Sequence, residues 1–142
     1  MSATQNAAAP FLTGCAPVFL VDDVRAAVDH YVCVLGFKQD FLWSDSYGGV
    51  SRDNVTLHFA KAEVAGRLNS ARAAGTTTMA DLNVFVRGIH DLYHDLVGRG
   101  GLIDGPPVQQ PYGMTNFHVD DLNGYRLCFG QATATGVGDS CV

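Results

Sequence analysis

The sequence repeats one pattern twice. Val21 and Val86 end two short apolar runs, and the residues that follow each of them match position by position. Val24 matches Ile89, Ala27 matches Leu92, Val28 matches Tyr93, Tyr31 matches Leu96 and Val32 matches Val97. Gly36 and Gly101 follow, and then Phe37 and Leu102. Each series puts apolar side chains at helical spacing, which gives one buried stripe per helix. Each glycine stands where a helix C-terminus favours it, and Asp22-Asp23 offers an N-cap to the first helix. The run Val55 to Phe59 is echoed by Tyr125 to Phe129, at a different offset because loops differ. Such a chain is two copies of one supersecondary unit. The expected fold class is α+β, with two tandem β-α-β-β-β units forming curled mixed sheets around a cleft. The units span about 14–61 and 79–131, within one domain at 14–131. A connection at 62–78 joins them, and tails are expected at 1–13 and 132–142. One helix covers one face of each sheet and leaves the other face to line the cleft.

The remaining strands follow from alternation. Phe37 to Trp43 alternates, with Phe37, Gln39 and Phe41 assigned to one face. Asp45 to Gly49 reads as a turn. Val50 to Arg52, Val55 to Ala60, Met79 to Val86 and Leu102-Ile103 read as strands. Phe117 to Val119 and Tyr125 to Phe129 form a hairpin across Asp121-Leu122-Asn123-Gly124. Residues 61–78 have poor periodicity, with a helical turn expected near Ala65 to Ala73. Hydrophobic content of 47% is enough for a core. A net charge of −5 argues against a nucleic-acid surface. No run approaches the ~20 apolar residues that span a bilayer. Met1 to Gly14 has neither Lys nor Arg, so a secretory signal is not expected and the protein is assigned to the cytoplasm. None of the four cysteines forms a Cys-x-x-Cys pair. Cys33 and Cys128 sit in apolar runs and are expected to be buried free thiols.

The residues with chemistry to offer are mostly aromatic. Phe41, Trp43, Tyr47 and Tyr112 fall in loops and at strand ends, and Tyr112 is held between Pro111 and Gly113. Asp40 and Asp45 lie close to the first three in sequence. Rings stack on flat ligands and attract cations by roughly 0.5–2 kcal/mol. The set suits a flat, positively charged small molecule. His30, His90 and His94 fall off the helical stripes and are expected to be solvated. His118 alternates with Phe117 and Val119 and is a candidate to line the cavity. No Ser/His/Asp or Cys/His catalytic set has a recognisable context.

Asp23-Val24, Tyr31, Leu35-Gly36-Phe37 and Asp121-Leu122-Asn123-Gly124 resemble the vicinal-oxygen-chelate superfamily. That superfamily holds glyoxalase I, extradiol dioxygenases, and fosfomycin- and bleomycin-resistance proteins. Ala16-Pro17-Val18, Asp40-Phe41, Arg52-Asp53-Asn54-Val55 and Gln110-Pro111-Tyr112-Gly113 are most similar to the bleomycin-resistance proteins. The resemblance implies a homodimer that traps a cationic antibiotic without turnover, with no cofactor. Pro17 would be the hinge of an exchanged N-terminal strand. The implied ligand-binding set is Asp40, Phe41, Trp43, Asp45, Tyr47, Tyr112 and Gly113, with Tyr47 and Tyr112 as the stacking pair. Tyr stands at 112 where the family usually has Trp, and at 47 where it has Phe. In the superfamily's metal enzymes, the ligand positions would fall on Ala16, Asp81 and Cys128, with His58 as a further strand candidate. Ala cannot ligate, and Asp with Cys is a poor set for metals that want His and carboxylate. The alternative function is a metal-dependent lyase, isomerase or dioxygenase with an altered ligand set.

Overall fold

The computed structural model describes residues 9–133, so most of both expected tails, and Cys141, lie outside the described residues. The first unit runs β1 (Val18–Val21), α1 (Val24–Cys33), β2 (Lys38–Trp43), β3 (Tyr47–Arg52) and β4 (Val55–Lys61). The second runs β5 (Leu82–Phe85), α2 (Ile89–Gly98), β6 (Leu102–Ile103), β7 (Val108–Gln109), β8 (Met114–Asp120) and β9 (Arg126–Ala132). The first sheet has the order β1-β4-β3-β2, and the second β5-β9-β8-β6 with β7 also paired to β8. In each sheet the opening strand lies parallel to the closing one, β1 on β4 and β5 on β9, and the other pairings are antiparallel. The mixed α+β architecture and the two-unit repeat are therefore as expected.

Helix α1 starts where Asp23 accepts the Ala26 N–H at 2.9 Å. Its stripe, Val24, Ala27, Val28 and Tyr31, is buried. Phe19, Val50, Leu57 and Phe59 of the first sheet share one core with Val84, Phe117, Val119, Leu127 and Phe129 of the second. The two units also brace each other. The β8–β9 turn reaches α1, where the Tyr31 hydroxyl donates to Asp121 at 2.7 Å. The β3–β4 turn reaches α2, where Arg52 pairs with Asp95 at 3.1 Å. Because the core-facing sides of both sheets point into this shared interior, their other faces turn away from it.

Several local expectations need correction. The turn between β2 and β3 is Ser44–Ser46, and Gly48 and Gly49 lie inside β3. The strand expected over Met79 to Val86 is confined to Leu82–Phe85. A register shift between Gln39 and Phe41 breaks the alternation of β2. Phe37 is buried against Tyr31, whereas Phe41 lies over Gly49 on the open face. A bulge adds a residue to one strand and so reverses which face the next side chain takes. Cys33 is exposed, because it falls off the buried stripe of α1. His30 is half-buried rather than solvated, edge-on to Tyr31. Burial lowers its pKa against the opposing pull of Asp121.

The connection at 62–78 is ordered by side-chain contacts, not by periodicity. It turns twice, at 64–67, where the Arg67 N–H reaches the Val64 carbonyl, and at 70–75, where the Ala74 N–H reaches the Ser70 carbonyl. Asn69 accepts the Leu20 N–H at 2.9 Å and donates to the Val18 carbonyl at 3.1 Å. It thereby occupies the outer edge of β1. Tyr125 also donates to Asn69 and stacks on Phe19, with ring centroids 4.1 Å apart. Strand β1 pairs with β4 of its own chain, Val18 opposite His58.

Candidate functional site

The face of the first sheet turned away from the core carries an aromatic cluster. Phe41 and Tyr47 are stacked with centroids 5.8 Å apart, and His58 stands edge-on to both. The Tyr47 hydroxyl and His58 Nδ1 are 2.8 Å apart. Gly49 makes the cluster possible. A Cβ built there would fall 2.4 Å from the Phe41 ring, so only glycine lets that ring lie on the sheet. Gly49→Ala is expected to lift the ring and separate it from Tyr47 and His58. Loss of the ring-current shifts on the His58 imidazole protons would report this, and unchanged shifts would refute it.

The expected residues of the first unit do not all converge. Trp43 ends β2 and is 71% exposed. Asp40 accepts the Ser51 hydroxyl at 2.9 Å and lies 3.7 Å from Lys38. Asp45 stands in the exposed β2–β3 turn, 3.8 Å from Arg25. Both carboxylates are therefore near cations, and among the described residues neither is hydrogen-bonded to the ring cluster. His58 is the member that sequence reasoning placed elsewhere, as a metal candidate. Its signal was alternation opposite to Val55, Leu57 and Phe59, which puts it on the open face.

The open face of the second sheet carries the other half of the set. Gln110 to Gly113 form a turn closed by the Gly113 N–H on the Gln110 carbonyl. Gly113 has φ +86°, a left-handed conformation that favours glycine. Tyr112 is 66% exposed, but its hydroxyl accepts from Asn116 at 3.1 Å. Gln110 donates to the same Asn116, which is buried. The ring is thus tethered at its edge with its face free, and no described ring stacks on it. Beside it, Asp104 grips His118 twice, through the backbone N–H and through Nδ1, both at 2.9 Å. A carboxylate partner puts the proton on Nδ1 and leaves Nε2 as the lone-pair nitrogen of the neutral ring. Cys128 is opposite His118 on β9, half-buried, and burial together with the Asp104 charge pushes its thiol up.

The metal candidate Asp81 is already engaged by backbone donors. Asp81 uses one carboxylate oxygen on the Ala71 N–H at 2.6 Å and the other on the Arg126 N–H at 2.8 Å. Among the described residues, no three His, Cys, Asp or Glu side chains are placed to hold a metal.

A four-stranded and a five-stranded sheet, each opened by a strand and a helix and closed by antiparallel strands, and each with one face left open, define a class of paired-unit proteins. This chain belongs to the Glyoxalase/Bleomycin resistance protein/Dioxygenase superfamily, whose family model matches residues 15–129. A comparison with curated proteins gives no match. Among solved structures, it is similar to the bleomycin-binding protein of the bleomycin producer Streptomyces verticillus, solved with copper(II)-bleomycin. The two share 26% identity over 90% of this chain and 100% of that one, with a TM-score of 0.62. A glyoxalase-related enzyme of Clostridium phytofermentans shares 18% identity over 87% and 97%, with a TM-score of 0.67. A superfamily protein from Nocardioides shares 16% over 94% and 92%, with a TM-score of 0.64. At those last two identities the likeness is one of fold. No helix among the described residues is long and apolar enough to cross a membrane.

Proposed function

We propose that the protein captures a flat, cationic small molecule of bleomycin type, stoichiometrically and without turnover, as a cytoplasmic homodimer that confers antibiotic resistance. The observation that carries this reading is the pair of open sheet faces, each presenting partly exposed rings held by polar contacts. Tyr47 and Phe41 belong to one face and Tyr112 to the other, and among the described residues no ring contact joins the two faces. A second copy would bring the first sheet of one chain opposite the second sheet of its partner and close the cleft around the ligand. The likeness to the Streptomyces bleomycin-binding protein supports the ligand class. Calorimetric titration with bleomycin is expected to give saturable heat at micromolar drug, and no heat would sink the reading. Tyr112→Ala is expected to weaken binding about tenfold, near 1.4 kcal/mol, through loss of one stacked ring and its burial. Unchanged affinity would remove Tyr112 from the site.

A lyase, isomerase or dioxygenase of the superfamily is the second reading. The observation in its favour is His118, whose orientation by Asp104 is that of a working base or ligand. Elemental analysis of protein prepared without chelator separates the two. One divalent ion per chain would favour the enzyme.

A further inference from the structure

The two places where the units brace each other are related by the repeat, but only one is filled. At the first, the β8–β9 turn meets β1. Tyr125 is fully buried and stacks on Phe19. Asn69 holds the outward backbone groups of β1, the Leu20 N–H and the Val18 carbonyl. At the second, the β3–β4 turn meets β5. The repeat sets Val84 in the place of Phe19, and Val55 in the place of Tyr125. Two valines replace two stacked rings. A cleft of about 930 Å³ opens there, with Phe37, Val55, Val84, Leu92 and Phe129 among its apolar lining. Pockets of this size hold small molecules.

The edge of the second junction is also bare. Asn83 and Phe85 correspond to Val18 and Leu20, and in a parallel pair alternate residues aim their backbone groups away from the partner strand. Val86, next to Phe85, gives its N–H to Gly130 on β9. Among the described residues no side chain takes the role of Asn69 at Phe85 or Asn83. The charges at the rim have both signs. Arg87, Asp53 and Asp91 all line it, while Arg52 is already committed to Asp95 and to the Leu35 carbonyl. The rim therefore selects no strong net charge.

We propose that this inter-unit cleft is a second binding site, distinct from the open sheet faces, for a small neutral molecule carrying an aromatic ring and a carboxamide. The ring would fill the space between Val55 and Val84 that Tyr125 and Phe19 fill at the other junction. The amide would pair with the free edge of β5 at Phe85, as the Asn69 amide pairs with the edge of β1. The same chain thus displays at one junction the chemistry that would complete the other.

N-acetyl-L-tyrosinamide is a suitable probe, followed by amide proton–nitrogen spectra of the full chain. Saturable shifts are expected at Val84, Phe85 and Asn54. N-acetylglycinamide, which lacks the ring, should bind at least tenfold more weakly. Val84→Phe should fill the gap and weaken the probe at least tenfold, and Val55→Tyr is the independent second variant should the first fail to fold. Both variants should leave bleomycin titration as in the parent. No saturable shift at these amides, or equal binding of the ringless probe, would overturn the proposal. Shifts confined to residues around Tyr47 or Tyr112 would overturn it too. Because the two sites are read at different residues, failure here leaves the reading of the open faces standing, and the converse also holds.

Discussion

Asp121→Ala is expected to cost the folded chain about 3–4 kcal/mol, read as a lower denaturant midpoint at unchanged slope. The carboxylate is 5% exposed. One oxygen accepts the N–H groups of Asn123 at 2.8 Å and Tyr125 at 2.9 Å, and the other accepts the Tyr31 hydroxyl at 2.7 Å. Alanine would strand all three donors in the interior, and each stranded donor costs about 1–3 kcal/mol. Tyr31→Phe removes one partner only and should cost about half as much. A midpoint shift below 1 kcal/mol for Asp121→Ala would show that water repairs the site. The pH dependence has a defined sign. Burial raises the Asp121 carboxyl above its ordinary value, against the hydrogen bonds it accepts. The folded state therefore holds this proton more tightly than the unfolded state. Its contribution is fully present below the ordinary carboxylate range, about pH 4, and is lost as pH rises through the raised value. Asp121→Asn should lack that downward slope.

The second large effect tests the proposed cleft between two copies. Chains carrying Tyr47→Ala and chains carrying Tyr112→Ala are each expected to bind drug poorly alone. Mixed and allowed to exchange, they should regain parental affinity at half the sites of the mixed dimer. One cleft would then unite the intact first sheet of one chain with the intact second sheet of the other, and the second cleft would carry both lesions. Recovery of no sites at all would place the two rings in the same cleft of one chain, or in no cleft. Calorimetric stoichiometry on the purified mixed dimer reads the difference directly.

The helices and the repeat were legible because burial at helical spacing leaves a periodic trace. Val24, Ala27, Val28 and Tyr31 are all buried, as are their counterparts Ile89 and Leu96. Cys33 misled because an apolar run was read without asking which side of α1 each residue takes. Phe41 could be selected as a ligand residue from its type, but its face could not be read. Counting by twos assumes one-for-one pairing, and the shift between Gln39 and Phe41 breaks that assumption. The connection at 62–78 gave no signal because its order comes from single polar contacts by Asn69 and Asp81, which have no period. Asp121 was visible as a turn residue and not as a buried acceptor, since its burial depends on α1 arriving from the other unit. The partnership of Tyr47 with His58 was likewise hidden, because it depends on the register of β3 against β4.

The grip of Asn69 on β1 also bears on how the protein survives at high concentration. An outer strand with unanswered backbone groups is a template on which another chain can add a strand, and growth from such edges leads to aggregates. At β1 a single amide side chain answers the Leu20 N–H and the Val18 carbonyl. It caps the strand as a further strand would, yet offers no edge of its own to extend. Asn69, a loop residue with no part in the core, thus guards the edge of β1, and a substitution that removes its amide is expected to open that edge to strand addition.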